Sequence, residues 1–162
     1  MSEVLVVYYS RTGKTRHLAE RLAEILDADC EAIAEAKDRS GAVGFVVVGK
    51  DTVMGKSAEL TQCPQPGDHA IVVLGMPVWA SRPPPAVNEW LSRVDLTGKT
   101  VCLFATSDGG SARGAFSRAN ELLPKPAVET RRWVRPKQGD EDLERSLREW
   151  AEQIRTHLPP SA

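Results

Sequence analysis

The sequence predicts an α/β fold whose parallel sheet is covered by helices on both faces. Two observations carry the prediction. Short apolar runs rich in β-branched residues recur along the chain, and stretches of helical period lie between them. The chain has 162 residues, 41% of them apolar and 27% charged, which is ordinary globular composition. One domain spanning residues 1–162 is therefore expected, long enough to bury roughly 70% of its unfolded surface.

Val4 to Tyr9 is a near-continuous apolar run, as in a strand buried on both faces. Lys14 to Asp27 follows at helical spacing, with Leu18, Leu22, Ile25 and Leu26 on one face. Cys30 to Ala34 is a weaker strand, and Ala70 to Gly75 a strong one. Pro83-Pro84-Pro85 opens a helix through Val87, Trp90, Leu91 and Val94, with Ser81 as its expected cap. Lys99 to Thr106 is another buried strand, Ala112 to Leu123 a helix, and Val128 to Val134 an alternating edge strand. Asp140 to Leu158 is a charged final helix with Leu143, Leu147, Trp150 and Ile154 as its inner stripe. Between the second and third strands, Glu35 to Gly67 reads as an irregular helix and long loops, with Phe45 to Val48 apolar and Gly41, Gly44, Gly49 and Gly55 around them. Pro159 to Ala162 is expected to fray.

Charge excludes some partners. Lysine plus arginine is 21 and aspartate plus glutamate 22, so the net charge is −1. That balance argues against nucleic acid and against an anionic membrane. No apolar run approaches the ~18 residues of a membrane span. The N-terminus lacks the basic region and cleavage site of a signal peptide. Cys30, Cys63 and Cys102 are widely spaced and odd in number, so a reducing compartment, the cytoplasm, is expected.

Ligands of open α/β sheets bind beyond the carboxyl ends of the strands. After the first strand comes Ser10-Arg11-Thr12-Gly13-Lys14-Thr15, three hydroxyls and a glycine entering a helix. Backbone N–H groups and the helix dipole favour an anion there. Gly13-Lys14-Thr15 imitates the end of a Walker A loop, but Tyr8 stands where that motif needs glycine, and no G-x-G-x-x-G occurs. A phospho-accepting receiver domain would want acidic residues where Ser10 and Thr12 stand. After the third strand comes Gly75-Met76-Pro77-Val78-Trp79-Ala80-Ser81. Trp79, expected to face solvent, calls for a flat aromatic cover, and stacking would contribute about 1 kcal/mol beyond area burial. The alternative is that Trp79 packs on its own loop. After the fourth strand comes Ala105-Thr106-Ser107-Asp108-Gly109-Gly110-Ser111, whose small residues allow close approach.

Together these loops resemble the flavodoxin-like family. Ser10 to Thr15 matches its S/T-x-T-G-x-T phosphate loop, Gly75 to Trp79 its first flavin loop, and Thr106 to Gly110 its second. The resemblance implies a flavodoxin-like three-layer sandwich with a five-stranded parallel sheet of order 2-1-3-4-5, FMN as cofactor, and electron transfer. Ser10, Thr12, Gly13, Lys14 and Thr15 would surround the FMN phosphate, with Arg11 beside it. Pro77, Val78, Trp79 and Ala80 would line one side of the isoalloxazine, and Thr106, Ser107, Asp108, Gly109 and Gly110 the other. The implied partner is a redox protein, a quinone or a nicotinamide.

This chain departs from the family's electron carriers in three ways. It is nearly neutral where they are acidic. Residues 107–114 carry no aromatic. Ala80 replaces a glycine that can turn beside the flavin N5, and a Cβ is expected to resist the positive φ of that turn. An open outer flavin face suits a stacking substrate. Three functions follow: an FMN-binding electron carrier, an FMN-dependent NAD(P)H:quinone or protoporphyrinogen-type oxidoreductase, and a flavin-free binding module of the same shape. No catalytic acid, nucleophile or metal site is assigned. His17 and His69 lack partners at metal-ligand spacing, and His157 reads as a helix-dipole contact. Arg131, Arg132, Arg135 and Lys137 read as a solvated edge, and Cys102 as core.

Overall fold

The computed structural model describes residues 2–36 and 58–160. In chain order its elements are β1 (Val4–Tyr8), α1 (Lys14–Leu26), β2 (Asp29–Ala32), β3 (Ala34–Glu35), β4 (Leu60–Gln62), β5 (Ile71–Pro77), α2 (Pro85–Arg93), β6 (Thr100–Ser107), α3 (Arg113–Glu121), β7 (Glu129–Val134) and α4 (Glu141–Arg155). Five strands form one parallel sheet in the order β2-β1-β5-β6-β7. Counted by their place in the chain, this is 2-1-3-4-5, the order the resemblance implies.

Strand side chains alternate between faces, so each central strand feeds two cores. Leu5, Val7, Val72, Leu74, Val101 and Leu103 pack with Ala86, Val87, Trp90 and Leu91 of α2 and Ala119 of α3. Val4, Val6, Ile71, Val73, Cys102 and Phe104 pack with Leu18 and Leu22 of α1 and with Leu143, Leu147, Trp150 and Ile154 of α4. On the second face Phe104, Trp133 and Trp150 meet edge to face in all three pairs, with centroids 5.6–6.0 Å apart. Trp90 on the first face donates its indole N–H to the Pro64 carbonyl at 2.8 Å, which ties residues 58–67 to α2. The three tryptophans outside the loops therefore serve packing. Cys102 is core as expected, and burial pushes its thiol up to about 12.

Some expectations need correction. The described ends of the 35–67 segment form a two-stranded antiparallel ribbon, β3 with β4, instead of loops. Most of that segment, including the apolar Phe45 to Val48 and any helix expected within residues 37–57, lies outside the described residues, as do the last two residues of the tail. Ser81 does not cap the helix that follows it: the N-cap of α2 is Pro84, with no side-chain hydrogen bond. His157, just beyond the C-terminal end of α4, also has a side-chain partner, Glu129 of β7 at 3.1 Å.

Helix α4 does carry a side-chain cap. Asp140 accepts from the Asp142 N–H at 3.0 Å, with Glu141, Asp142 and Glu144 in the first turn. Asp140→Ala should lower stability by about 1 kcal/mol in urea or thermal unfolding, with the m-value unchanged.

Candidate functional site

Three loops leave the carboxyl ends of β1, β5 and β6 and meet around a single cleft of about 680 Å³. That volume lies within the roughly 300–1,000 Å³ of small-molecule sites. Of the residues singled out in the sequence, Arg11, Thr12, Lys14, Thr15, Pro77, Val78, Trp79, Ala80, Thr106, Ser107, Asp108, Gly109 and Gly110 line it. Ser10 and Gly13 do not. They shape the first loop instead. Gly13 sits at φ 97°, a conformation costly for any residue with a Cβ, and is the N-cap of α1. Its N–H donates to the Ser10 hydroxyl at 3.0 Å, and its carbonyl accepts from His17 N–H at 2.9 Å, closing the first helical turn.

The start of α1 therefore faces the cleft with Lys14 and Thr15 and with no acidic residue in its first turn. The first N–H groups of a helix have no carbonyl one turn earlier to bond. With the dipole and the Lys14 ammonium, this donor set is chemistry for a phosphate, not for a cation.

Two contacts fix the first loop against the third. Thr15 and Thr106, exposed by only 2% and 4%, join their hydroxyls at 2.9 Å. At the mouth, Lys14 Nζ lies 3.3 Å from Asp108 Oδ1, with both side chains well exposed, so the pair contributes little to stability. The third loop is held from outside by β7. Arg135 N–H donates to the Ser107 carbonyl at 2.8 Å, and the Arg132 guanidinium donates to the Gly110 carbonyl. Arg131 donates to Ser146 Oγ at 2.7 Å and lies over Trp133. These arginines are thus more than a solvated edge, and nothing in a run of basic residues foretells which carbonyl one of them meets.

The second loop differs most from expectation. Trp79 is buried, 8% exposed, with its ring edge to face on Tyr9 at 5.5 Å. The chain itself covers most of the indole, with Tyr9 from the end of β1 rather than the loop's own residues against it, although part of it still lines the cleft. Trp79 N–H donates to the Arg82 carbonyl at 3.0 Å, and Arg82 N–H donates to the Trp79 carbonyl at 2.9 Å. Ala80 and Ser81 between them stand at φ 50° and 61°. Positive φ at both central residues makes this a type I′ turn, which ordinarily takes Asn and Gly. Ala80 does not resist the left-handed region: it already occupies it, within the two-residue connection that the Trp79–Arg82 pairing closes. Ser81 and Ser111 also line the cleft and were not among the expected site residues. Their only sequence signal is adjacency to Ala80 and Gly110.

The sequence model of the flavodoxin family matches residues 47–154. This chain belongs to the flavodoxin family. Among solved structures, a candidate flavoprotein of Bacteroides uniformis is 22% identical, with a TM-score of 0.79 over 93% of this chain and 98% of that one. A second, from Bacteroides eggerthii, is 26% identical, with a TM-score of 0.77 over 96% and 99%. A flavoprotein of Lactobacillus acidophilus, solved in complex with FMN, is 21% identical, with a TM-score of 0.65 over 82% and 93%. No curated protein matches the sequence. Among the described residues of this flavodoxin-family chain, no helix is long and apolar enough to cross a membrane.

Thr106→Val should leave the buried Thr15 hydroxyl without its partner and cost about 1–3 kcal/mol. The double variant Thr15→Val/Thr106→Val should cost less than the sum of the single changes in a double-mutant cycle of unfolding free energies.

Proposed function

We propose that this protein binds FMN in the three-loop cleft and works as a redox flavoprotein. The observation that carries the reading is the meeting of an anion-suited helix start with two loops of apolar and small residues at one opening. Thr12, Lys14, Thr15 and the first N–H groups of α1 would hold the phosphate. Ser10 and Gly13 would act through the loop's shape. Pro77, Val78, Trp79 and Ala80 would border one side of the ring, and Ser107 to Gly110 the other. Given its packing on Tyr9, Trp79 would offer part of its indole to the ring. Bound FMN would supply electron transfer, singly or in pairs; the chain's part is to bind it, orient it and limit water around it.

The first form of this reading is an electron carrier between protein or small-molecule partners. A second, an FMN-dependent oxidoreductase taking electrons from NAD(P)H to a quinone, is favoured by one observation. No aromatic stands in residues 107–114 to cover the outer side of the ring. Steady-state NAD(P)H oxidation dependent on an added quinone separates the two: turnover supports the oxidoreductase, and its absence in FMN-loaded protein supports the carrier. A flavin-free binding module fits poorly with a helix start that pairs Lys14 with uncapped N–H groups.

The phosphate assignment makes its own prediction. Thr12→Val should raise the Kd for FMN about ten-fold, the worth of one hydrogen bond to a charged group. The Kd for riboflavin, which lacks the phosphate, should stay within about two-fold. Flavin fluorescence titration of the flavin-free protein reads both, and an equal loss for the two ligands refutes the assignment.

A further inference from the structure

The Ala80–Ser81 turn holds two residues with Cβ atoms in a region of φ that both ordinarily avoid. Such a conformation persists only where its surroundings over-determine it. One restraint is within the loop, the paired Trp79–Arg82 backbone, and a second is the Trp79 ring against Tyr9 at the end of β1. The third comes from another element. Gly114, in the first turn of α3, lies so close under the turn that a Cβ built on it would stand 2.4 Å from the Ser81 carbonyl oxygen and 3.4 Å from the Ser81 carbonyl carbon and Cβ. An approach of 2.4 Å is not tolerated between a methyl and a backbone oxygen, so one of the two segments would have to move. Nothing comparable restrains the adjoining loop glycines Gly109 and Gly110, where an added Cβ meets nothing within 4 Å.

We propose that Gly114 is a positioning residue: lacking a side chain, it admits the Ser81 carbonyl to the surface of α3, and this seat sets how far the Ala80–Ser81 turn leans over the cleft and hence its fit to the flavin ring. Gly114 does not line the cleft, whereas Ala80 and Ser81 do, so the effect passes through the turn. The inference rests on the FMN reading for its ligand, while the contact itself is independent of any ligand. It assigns the fit to the ring end of the flavin, since the proposed phosphate site is the start of α1 and not the Ala80–Ser81 turn.

The test is Gly114→Ala. Replacing an exposed helical glycine by alanine ordinarily raises stability, because glycine is the poorer helix former. Here the Tm of the flavin-free protein is expected not to rise, because the new methyl meets the Ser81 carbonyl. The Kd values for FMN and riboflavin are expected to increase by a common factor of about ten, leaving their ratio within about two-fold of the parent's. Parental affinity for both flavins, or a loss confined to FMN, would overturn the proposal. A raised Tm would overturn it as well. Should the parent protein bind neither flavin, the FMN reading fails, and the Tm comparison alone decides the Gly114 contact. If Gly114→Ala does not fold, Ala80→Gly/Gly114→Ala takes its place, since glycine at 80 lets the turn yield. The same loss of ring affinity is then expected, and parental affinity contradicts the proposal.

Discussion

Everything at the site depends on the position of β1 between β2 and β5. The chain runs from β1 to its neighbour on one side, β2, and then returns to β5 on the other. Right-handed crossovers then place α1 on one face of the sheet, while α2 and α3 lie on the other. The loops leaving β1 and β5 must therefore turn away from each other, and the gap between them opens at the carboxyl ends of the strands. This is the rule of the topological switch point, for which flavodoxins are themselves a standard illustration. The cleft follows from strand order before any side chain is considered; the side chains then decide what it can hold.

Those side chains divide the work unevenly. The first loop sits on a rigid base, since Thr15 is buried against Thr106 and Gly13 starts a helix packed across the core. The third loop is braced by backbone and guanidinium contacts from β7. The second is held by a strained turn, an indole wedged on a tyrosine and one close contact with α3. In the proposed FMN complex the second loop, held through its turn and its seat on α3, would border the ring, and the helix start of the first loop would take the phosphate.

The fold was legible because the runs of the three central strands, β1, β5 and β6, are buried on both faces and each helix shows one apolar stripe; Val4 to Tyr8 and the Leu143–Ile154 stripe are the clearest instances. The loops were legible by position, for the strand ends fix where a ligand can sit. What failed was contact between distant segments. Trp79 reads as exposed at a strand end, and only the fold brings Tyr9 to cover it. Ser81, two residues before the Pro83-Pro84-Pro85 run that opens α2, looks like a cap until its pairing context makes it part of a turn. Local pattern gives element and address; the partner of a side chain depends on which other element arrives there.

The most direct test of the central claim is a crystal structure of the protein grown with FMN. The account predicts the phosphate between Thr12 and the first turn of α1, and the ring between Val78–Ser81 and Ser107–Gly110. A phosphate placed away from α1, or FMN lodged in the smaller groove between His17 and Arg21 of α1 and Asp140 to Leu147 at the start of α4, would contradict it.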